Sequence, residues 1–296
     1  MKLAAIDIGS NAARLLISEV IIDDKKNPSF NKISLVRVPL RLGFDVFDSG
    51  KISDKKITLL VFTMKAYLNL LQAFEVKHVK ACATSAMRDS TNSADIISLV
   101  KKETGIEIEV ISGSDEASFI YENHVAENLD REHSYLYIDV GGGSTELTFF
   151  SNGKLVFKDS YNIGTIRLLK NKIPEAAWEE MKNNIKNKTS GHKEVTAIGS
   201  GGNINKIYTL SKRKDTEPLP LEMLRDFYKD LSNLTLEERI SMYKLREDRA
   251  DVIVPALQIY INVMRWAGAT RIYVPKIGLA DGLVQHLWEE VKSNQV

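Results

Sequence analysis

Residues 134–147 read SYLYIDVGGGSTEL: an apolar run ends at Asp139, three glycines follow, and a second apolar run begins. Consecutive glycines weaken any helix or strand that contains them, so the sequence predicts a tight turn between two strands. Residues 3–17, LAAIDIGSNAARLLI, repeat this pattern around Asp7, and the two aspartates lie 132 residues apart. The repeat predicts a duplicated α/β domain, with chance similarity between short turn motifs as the alternative.

The predicted elements also repeat, because each half reads as three strands followed by alternating helices and strands. In the first half we predict a polar turn at 23–31, strands at 3–8, 13–22, 32–42 (ending near Pro39), 78–84 and 106–111, and helices after Ser53 and at 92–103 and 114–125. In the second half we predict a loop at 211–220, strands at 134–140, 144–150, 154–160, 194–200 and 270–275, and helices at 164–171, 175–187, 203–211, 250–268 and from about 281.

The composition is that of an ordinary soluble protein, with 44% hydrophobic and 27% charged residues and a formal net charge of +1. Such a balance gives no overall field that would attract nucleic acid or an anionic membrane, so we expect neither as a partner. The single cysteine, Cys82, cannot form an internal disulfide, and no apolar run is long enough to span a bilayer. We therefore expect a cytoplasmic protein.

The glycine turns suit phosphate and metal chemistry. A strand fixes the aspartate that ends it, and glycines let backbone N–H groups point inward as an anion-binding nest. Mg²⁺ prefers carboxylates, waters and phosphate oxygens, so Asp7 and Asp139 are candidate ligands near a bound phosphate, with Ser10 and Ser144 beside them. The alternative for DVGGGS is an ordinary β-hairpin turn. A third glycine turn, SGGNI at 200–204, precedes a helix, where anions also bind, or is a simple tight connection.

Six motifs in order carry a resemblance to a known family. They are DIGSN at 7–11, TSAMRD at 84–89, SGSDEASFIY at 112–121, DVGGGSTEL at 139–147, AIGSGGN at 197–203 and GLADGL at 278–283. This set resembles the exopolyphosphatase / guanosine pentaphosphate phosphohydrolase (Ppx/GppA) family, in its short two-domain form. The resemblance implies α/β architecture with duplicated ribonuclease H-like domains of the actin-like ATPase superfamily and a central interdomain cleft. We expect domains at 1–122 and 123–296, with the last helix able to pack back on the first.

The resemblance also implies roles for individual residues. Glu116 matches the family's proposed general base, and Arg88 matches its phosphate-binding arginine. The remaining expected phosphate-binding residues lie in the three glycine turns: Gly9, Ser10, Asn11, Gly141, Gly142, Gly143, Ser144, Gly201 and Gly202. The expected metal ligands are Asp139, Glu146 and Asp7, with Mg²⁺ as the expected ion and Mn²⁺ as the alternative.

Three of these residues also have ordinary structural interpretations. Glu116 in the first turn of a helix favours the helix dipole without any catalytic role. Arg88 suits a surface ion pair, and Glu146 suits the solvent face of a strand. The sequence also departs from the family pattern at Ala12, Asp115, Asn203 and Ala256, which puts fine substrate preference in doubt.

The expected function is Mg²⁺-dependent hydrolysis of the terminal phosphoanhydride bond of inorganic polyphosphate. The alternative within the family is the 5′-phosphohydrolase reaction on guanosine pentaphosphate, so the expected small-molecule partners are polyphosphate or guanosine penta- and tetraphosphate. Two other classes remain open: an ATP-binding, kinase-like protein and a non-catalytic sensor of phosphate chains. A homodimer is also left open.

Overall fold

The structure is a computed structural model that describes residues 1–23, 27–121, 133–192, 194–214, 216–275 and 277–293. The chain divides into two compact units: Met1–Asn123 with Gly278–Val296, and His124–Ile277. The expected domain boundary at 122/123 lies outside the described residues, as do the last positions of the helix predicted at 114–125. Within the described parts of the chain, no helix is both long and apolar enough to cross a membrane.

The strands of the two units form separate sheets. The first unit contains β1 (Lys2–Ile8), β2 (Ala13–Ile22), β3 (Pro28–Val38), β4 (His78–Ala83) and β5 (Ile108–Val110). The second unit contains β6 (Ser134–Val140), β7 (Thr145–Ser151), β8 (Lys154–Tyr161), β9 (Val195–Ser200), β10 (Leu219–Pro220) and β11 (Arg271–Tyr273).

The helices fall between and after these strands. The first unit has α1 (Gly43–Ser49), α2 (Asp54–Ala73), α3 (Ser85–Asp89), α4 (Ser93–Thr104) and α5 (Gly113–Tyr121). The second unit has α6 (Thr165–Leu169), α7 (Glu175–Thr189), α8 (Gly202–Ser211), α9 (Leu221–Ser232), α10 (Leu236–Tyr243), α11 (Glu247–Ala250) and α12 (Ile253–Ala267). The last helix, α13 (Leu279–Ser293), belongs to the first unit.

The two sheets share one topology, which confirms the predicted duplication. The first has the strand order β3-β2-β1-β4-β5, and the second has β8-β7-β6-β9-β11 with β10 added at its edge. In both, the first three strands of the unit are antiparallel and the next two add in parallel. The carboxyl ends of the parallel strands therefore meet along one edge of each sheet, where α/β proteins place their functional groups.

Each sheet has its own buried core. In the first unit, α13 packs on β1 through an apolar cluster that includes Leu283 and Leu287, so this helix completes the core of the first sheet. In the second unit, α12 is apolar on most of its surface and packs on β6, α6, α7 and α9. Burial on both faces explains why the central strands read as continuous apolar runs.

The structure corrects several predicted boundaries. The third strand starts at Pro28, four residues before the predicted 32, because proline is tolerated as the first residue of an edge strand. It ends at Val38, since Pro39 has no N–H to continue the ladder. The sequence prediction also missed α1 and α3, and it did not resolve α9 and α10 in the second unit.

Candidate active site

The turn after β6 brings two carboxylates together in the second unit. Asp139 lies directly opposite Glu146 in the antiparallel pair of β6 and β7, and a carboxylate oxygen of each lies within 4.8 Å of the other. Glu146 is 3% exposed, and Ser160 Oγ donates a 2.9 Å hydrogen bond to its Oε1. Two buried or half-buried carboxylates at this distance form a site that could bind a metal ion.

The glycine turn between these strands is held by the segment that follows β8. The carbonyl of Gly141 accepts from Thr165 N at 3.0 Å, and that of Gly142 accepts from Ile166 N at 2.8 Å. The carbonyl of Gly143 accepts from Arg167 Nε at 2.7 Å.

These three bonds fix the direction of the turn's N–H groups. A trans peptide group is planar, with its carbonyl and N–H pointing in opposite directions. Because the carbonyls of Gly141, Gly142 and Gly143 all point toward residues 165–167, the N–H groups of Gly142, Gly143 and Ser144 point away from that segment. Successive N–H groups directed to one side form an anion-binding nest. The turn therefore has a backbone arrangement suited to phosphate.

Two further glycines in the second unit permit close approaches that a side chain would block. A Cβ on Gly164 would lie 2.4 Å from the carbonyl carbon of Gly143, so the segment before α6 can approach the turn only as glycine. Gly201 has φ +97°, and its added Cβ would lie 2.7 Å from Asp139 Oδ1. The predicted glycine turn at 201–202 thus lies against Asp139, the penultimate residue of β6.

Tyr260 on α12 forms a hydrogen bond at the same edge of the second sheet. Its hydroxyl donates to the carbonyl of Ser200, which pairs with Asp139 in the parallel register of β6 and β9. Burial, together with the nearby charges of Asp139 and Glu146, raises the pKa of Tyr260 well above its ordinary value. The residue therefore stays a neutral hydrogen-bond donor beside two carboxylates.

The first turn, in the other unit, has a related backbone arrangement. Gly9 N donates to Ala12 O at 3.1 Å, which closes the turn between β1 and β2. The carbonyl of Ser10 accepts from Gly43 N at 2.8 Å and that of Asn11 accepts from Arg41 N at 2.9 Å. By the same peptide geometry, the N–H groups of Asn11 and Ala12 point away from residues 41–43.

The side chains of this turn have partners that the sequence prediction did not include. Asp7 is 3% exposed, and its Oδ2 accepts a 2.6 Å hydrogen bond from Arg14 Nη1 across the β1–β2 pair. Ser10 Oγ lies 2.8 Å from Ser85 Oγ, the first residue of α3. The carboxylate predicted as a metal ligand is thus paired with a guanidinium.

Arg88 and Glu116 lie at the carboxyl ends of β4 and β5. Arg88 is in the last turn of α3, and its Nη1 donates to Ile111 O at 2.9 Å, just before α5 begins. Glu116 is in the first turn of α5 and is 7% exposed. The structure therefore gathers Asp7, Ser10, Asn11, Arg88 and Glu116 along one edge of the first sheet.

Arg249 is a candidate binding residue that the sequence prediction missed. It belongs to α11, and a Cβ added to Gly202 would lie 3.0 Å from its Nη2, so its guanidinium lies against the start of α8. In the sequence, Arg249 is marked only by its position directly before the largely apolar segment ADVIVP at 250–255. Periodicity gives no reason to connect that segment with a glycine turn 47 residues earlier.

The donor set fits a divalent cation of the Mg²⁺ type. Asp139 and Glu146 offer hard carboxylate oxygens, which Mg²⁺ prefers to nitrogen or sulfur ligands. The site is confined on one side, because a side chain at position 201 would collide with Asp139 Oδ1.

In each sheet, a strand whose penultimate residue is an aspartate leads into a glycine-containing hairpin, and the two sheets share one topology. These features define an α/β protein of the actin-like ATPase fold, as predicted. The chain belongs to the Ppx/GppA phosphatase family, which it matches over residues 21–290.

Individual relatives agree with this assignment. The chain is 37% identical over 170 residues to a bifunctional 3-dehydroquinate synthase/phosphatase of Fusobacterium nucleatum, covering 56% of this chain and 25% of that protein. It is 29% identical over 180 residues to exopolyphosphatase 1 of Mycobacterium tuberculosis, covering 59% and 50% respectively. The chain thus spans between a quarter and half of these relatives. It is 25% identical to the Aquifex aeolicus member of the Ppx/GppA family, whose crystal structure it matches with a TM-score of 0.74 over 99% of both chains.

Proposed function

We propose that this protein is an exopolyphosphatase, which hydrolyses the terminal phosphoanhydride bond of inorganic polyphosphate and releases phosphate. Membership of a phosphatase family and the similarity to a mycobacterial exopolyphosphatase support the proposal. The observation that carries it is the turn at 141–144, where three carbonyls are bound on one side so that three N–H groups are directed to the other.

The turns bind the terminal phosphate in this proposal. The N–H groups of Gly142, Gly143 and Ser144 donate to its oxygens, and in the first turn we assign the N–H groups of Asn11 and Ala12 to phosphate binding. Gly201 and Gly202 at the start of α8 bind a further phosphate oxygen. Phosphoryl transfer depends on positioning and charge neutralisation more than on covalent chemistry, so such a cradle supplies much of what the reaction requires.

Asp139 and Glu146 would hold the metal ion. When bound, Mg²⁺ or Mn²⁺ neutralises charge on the phosphate oxygens. Within the protein, Ser160 orients Glu146 by its 2.9 Å hydrogen bond, and Tyr260 stays neutral beside both carboxylates. The hydrogen bond from Ser160 therefore fixes the direction of the Glu146 carboxylate.

Arg88 and Glu116 take the two remaining roles. Arg88 binds a phosphate through the planar fork of its guanidinium. Glu116 orients the attacking water and accepts its proton. The leaving group is a phosphate chain, which departs without a strong general acid.

The second candidate is release of the 5′-terminal phosphate from guanosine pentaphosphate. The family to which the chain belongs is named for both activities, and both substrates end in the same phosphoanhydride group. The N–H groups of residues 142–144 would contact only the terminal phosphate, which both substrates have. They therefore favour neither substrate.

A phosphate-release assay tests the proposal directly. Purified protein is incubated with polyphosphate, guanosine pentaphosphate or ATP, each with Mg²⁺, with Mn²⁺ or with EDTA. We expect release from polyphosphate that requires metal, and greater release from guanosine pentaphosphate would favour the second candidate. No release from either would remove the proposed function, and binding of polyphosphate without release would support the sensor class.

Substitution of Glu116 by Gln tests the mechanism. Removing a general base lowers kcat by about 10²- to 10⁴-fold, while polyphosphate binding persists. Glu107→Gln makes the same chemical change at an exposed residue paired with Lys101, and it is expected to retain full activity. Normal turnover in Glu116→Gln would exclude Glu116 as the base.

A further inference from the structure

Ser200 is a buried serine at the carboxyl end of β9 whose hydroxyl makes no hydrogen bond within the part of the chain that the structure describes. The residue is 4% exposed, and its carbonyl accepts from the hydroxyl of Tyr260. A buried hydroxyl without a partner costs free energy, so its presence in a folded protein calls for a cause such as a catalytic role or a bound ion.

The strand register places Ser200 in one row with both carboxylates of the candidate metal site. Ser200 pairs with Asp139 between β9 and β6, and Asp139 pairs with Glu146 between β6 and β7. The row continues to Ser160, which pairs with Glu146 between β7 and β8. Residues that pair directly across neighbouring strands project from the same face of a sheet. The Ser200 hydroxyl and the two carboxylates therefore project from one face.

The opposite face of these strands is apolar. Ile138, Leu147 and Ala197 each lie an odd number of positions from a member of the row, and all three belong to the buried core of the second unit. Because successive residues of a strand project from opposite faces, the row projects away from that core. The position of Ser200 in the apolar core thus does not explain its burial.

The two serines of the row differ in their contacts. Ser160 Oγ, beyond Glu146, donates a hydrogen bond to the Glu146 carboxylate, whereas Ser200 Oγ, beyond Asp139, has no such bond. The carboxylate of Asp139 lies close to the main chain that follows Ser200, since a Cβ on Gly201 would lie 2.7 Å from Asp139 Oδ1. The unpaired hydroxyl is therefore beside the candidate metal site.

We propose that Ser200 is a further residue of the metal site, where its hydroxyl binds the hydration shell of the ion beside Asp139. The inference rests on the assignment of Asp139 and Glu146 as metal ligands in the proposed function. Mg²⁺ keeps several of its waters when it binds to a protein, so its site requires polar groups that hold those waters. A serine hydroxyl suits this role because it both donates and accepts hydrogen bonds.

The test is Mn²⁺ binding by metal-free Ser200→Ala, measured without substrate by electron paramagnetic resonance of the free ion. We expect the affinity for Mn²⁺ to fall about 10- to 100-fold, as is typical when a group that supports the ligands is removed. Without metal, the melting temperature should equal or exceed that of the wild type, because the change removes a buried, unpaired hydroxyl. Ser200→Thr keeps the hydroxyl and should keep most of the affinity.

Ser151→Ala is the matched control. Ser151 is also 4% exposed, and it lies on β7 at the end of the β6–β7 pair that is remote from the glycine turn. Its Oγ lies 2.8–3.2 Å-class hydrogen-bond distance from that of Ser134, at 3.0 Å. This variant should lose stability, because Ser134 loses its partner, and it should keep the wild-type affinity for Mn²⁺.

Metal binding without substrate separates this inference from the proposed function. If the wild type binds Mn²⁺ but releases no phosphate from any substrate, the exopolyphosphatase assignment fails, and the titration still decides the role of Ser200. Equal Mn²⁺ affinity in Ser200→Ala and wild type overturns the inference, as does an equal loss in Ser151→Ala or a wild type that binds no Mn²⁺. Weaker binding of inorganic tripolyphosphate by metal-free Ser200→Ala, with unchanged Mn²⁺ affinity, would assign the hydroxyl to phosphate at the start of α8 and also overturns it.

Discussion

Arg14 Nη1 lies 2.6 Å from Asp7 Oδ2, so the carboxylate at the end of β1 is neutralised by a residue that faces it on β2. The aspartate side chain is 5% exposed and the arginine side chain is 31% exposed. A carboxylate buried to this degree is costly unless it is paired and hydrogen-bonded. The aspartate before the first glycine turn therefore forms an ion pair with Arg14. The aspartate before the second turn, Asp139, instead lies opposite a second carboxylate, that of Glu146.

The first prediction concerns this ion pair. Arg14→Met leaves Asp7 buried without its guanidinium partner, and we expect a loss of about 1–3 kcal/mol in the free energy of unfolding, between the values for exposed and buried pairs. Adding Asp7→Asn removes the buried charge and should restore part of that loss. Urea denaturation of the two single variants and the double variant measures the coupling. Strictly additive losses would show that the pair contributes nothing as a pair.

Much of the fold followed from the sequence because its signals are local. The strand predicted at 134–140 is observed as Ser134–Val140, and the shared topology of the sheets confirms the duplication inferred from the two aspartate turns. Apolar runs bounded by glycine turns decide such elements without tertiary information. The expected roles of individual site residues remain predictions.

The structural features that could not be predicted from the sequence depend on contacts between distant segments. The approach of Gly164 to Gly143 brings together residues on different turns, and the guanidinium of Arg249 reaches Gly202 from another helix. The positive φ of Arg41 carried no signal, because arginine is not a residue that marks left-handed turns. Each of these features is imposed by tertiary packing on a segment whose local pattern is unremarkable.

The second prediction tests the close approach of Gly201 to Asp139. In Gly201→Ala, the added Cβ meets Asp139 Oδ1 at 2.7 Å and also strains a backbone at φ +97°. We expect about 1–3 kcal/mol of destabilisation and a displaced carboxylate, and therefore a higher Mg²⁺ concentration for half-maximal phosphate release. Gly268→Ala is the matched control, because it has φ +70° and no atom within 4 Å of its added Cβ. It should lose stability and keep the metal dependence.

Comparing the two variants separates the effect of backbone strain, which both variants introduce, from displacement of the Asp139 carboxylate, which only Gly201→Ala should cause. If both glycine variants shift the Mg²⁺ dependence equally, the effect comes from global stability. If neither shifts it, Asp139 does not hold the metal in the active protein.

The third prediction concerns how α13 positions the helix that contains Glu116. A Cβ on Gly282 would lie 1.8 Å from Phe119 O, so α5 and α13 can pack at this distance only with glycine there. Gly282→Ala must push α5 away and with it the expected general base. A misplacement of about 1 Å costs on the order of 100-fold in rate, so we expect kcat to fall by about that factor.

Gly278→Ala provides the control for this variant. It lies just before the same helix, and its added Cβ meets nothing within 4 Å. We expect normal kcat and a normal melting temperature. Full activity in Gly282→Ala, measured on folded protein, would show that the position of α5 does not limit catalysis.

The fourth prediction is a pH dependence of stability from Asp45. Burial raises the pKa of this carboxyl, but hydrogen bonds from Lys56 and Ser53 outweigh burial, so its pKa lies below the ordinary value. A carboxyl with a depressed pKa in the folded protein stabilises the fold above its unfolded pKa, about 3.9, and this stability is lost as the pH falls through the folded pKa. Asp45→Asn should therefore lower stability at pH 7 and flatten its decline below pH 4. Asp226→Asn, at an exposed position on α9, is the control for the loss of one carboxylate, and its stability at pH 7 is compared with that of Asp45→Asn. An Asp45→Asn profile that parallels the wild type down to pH 2 would show that Asp45 does not link this segment's stability to protonation.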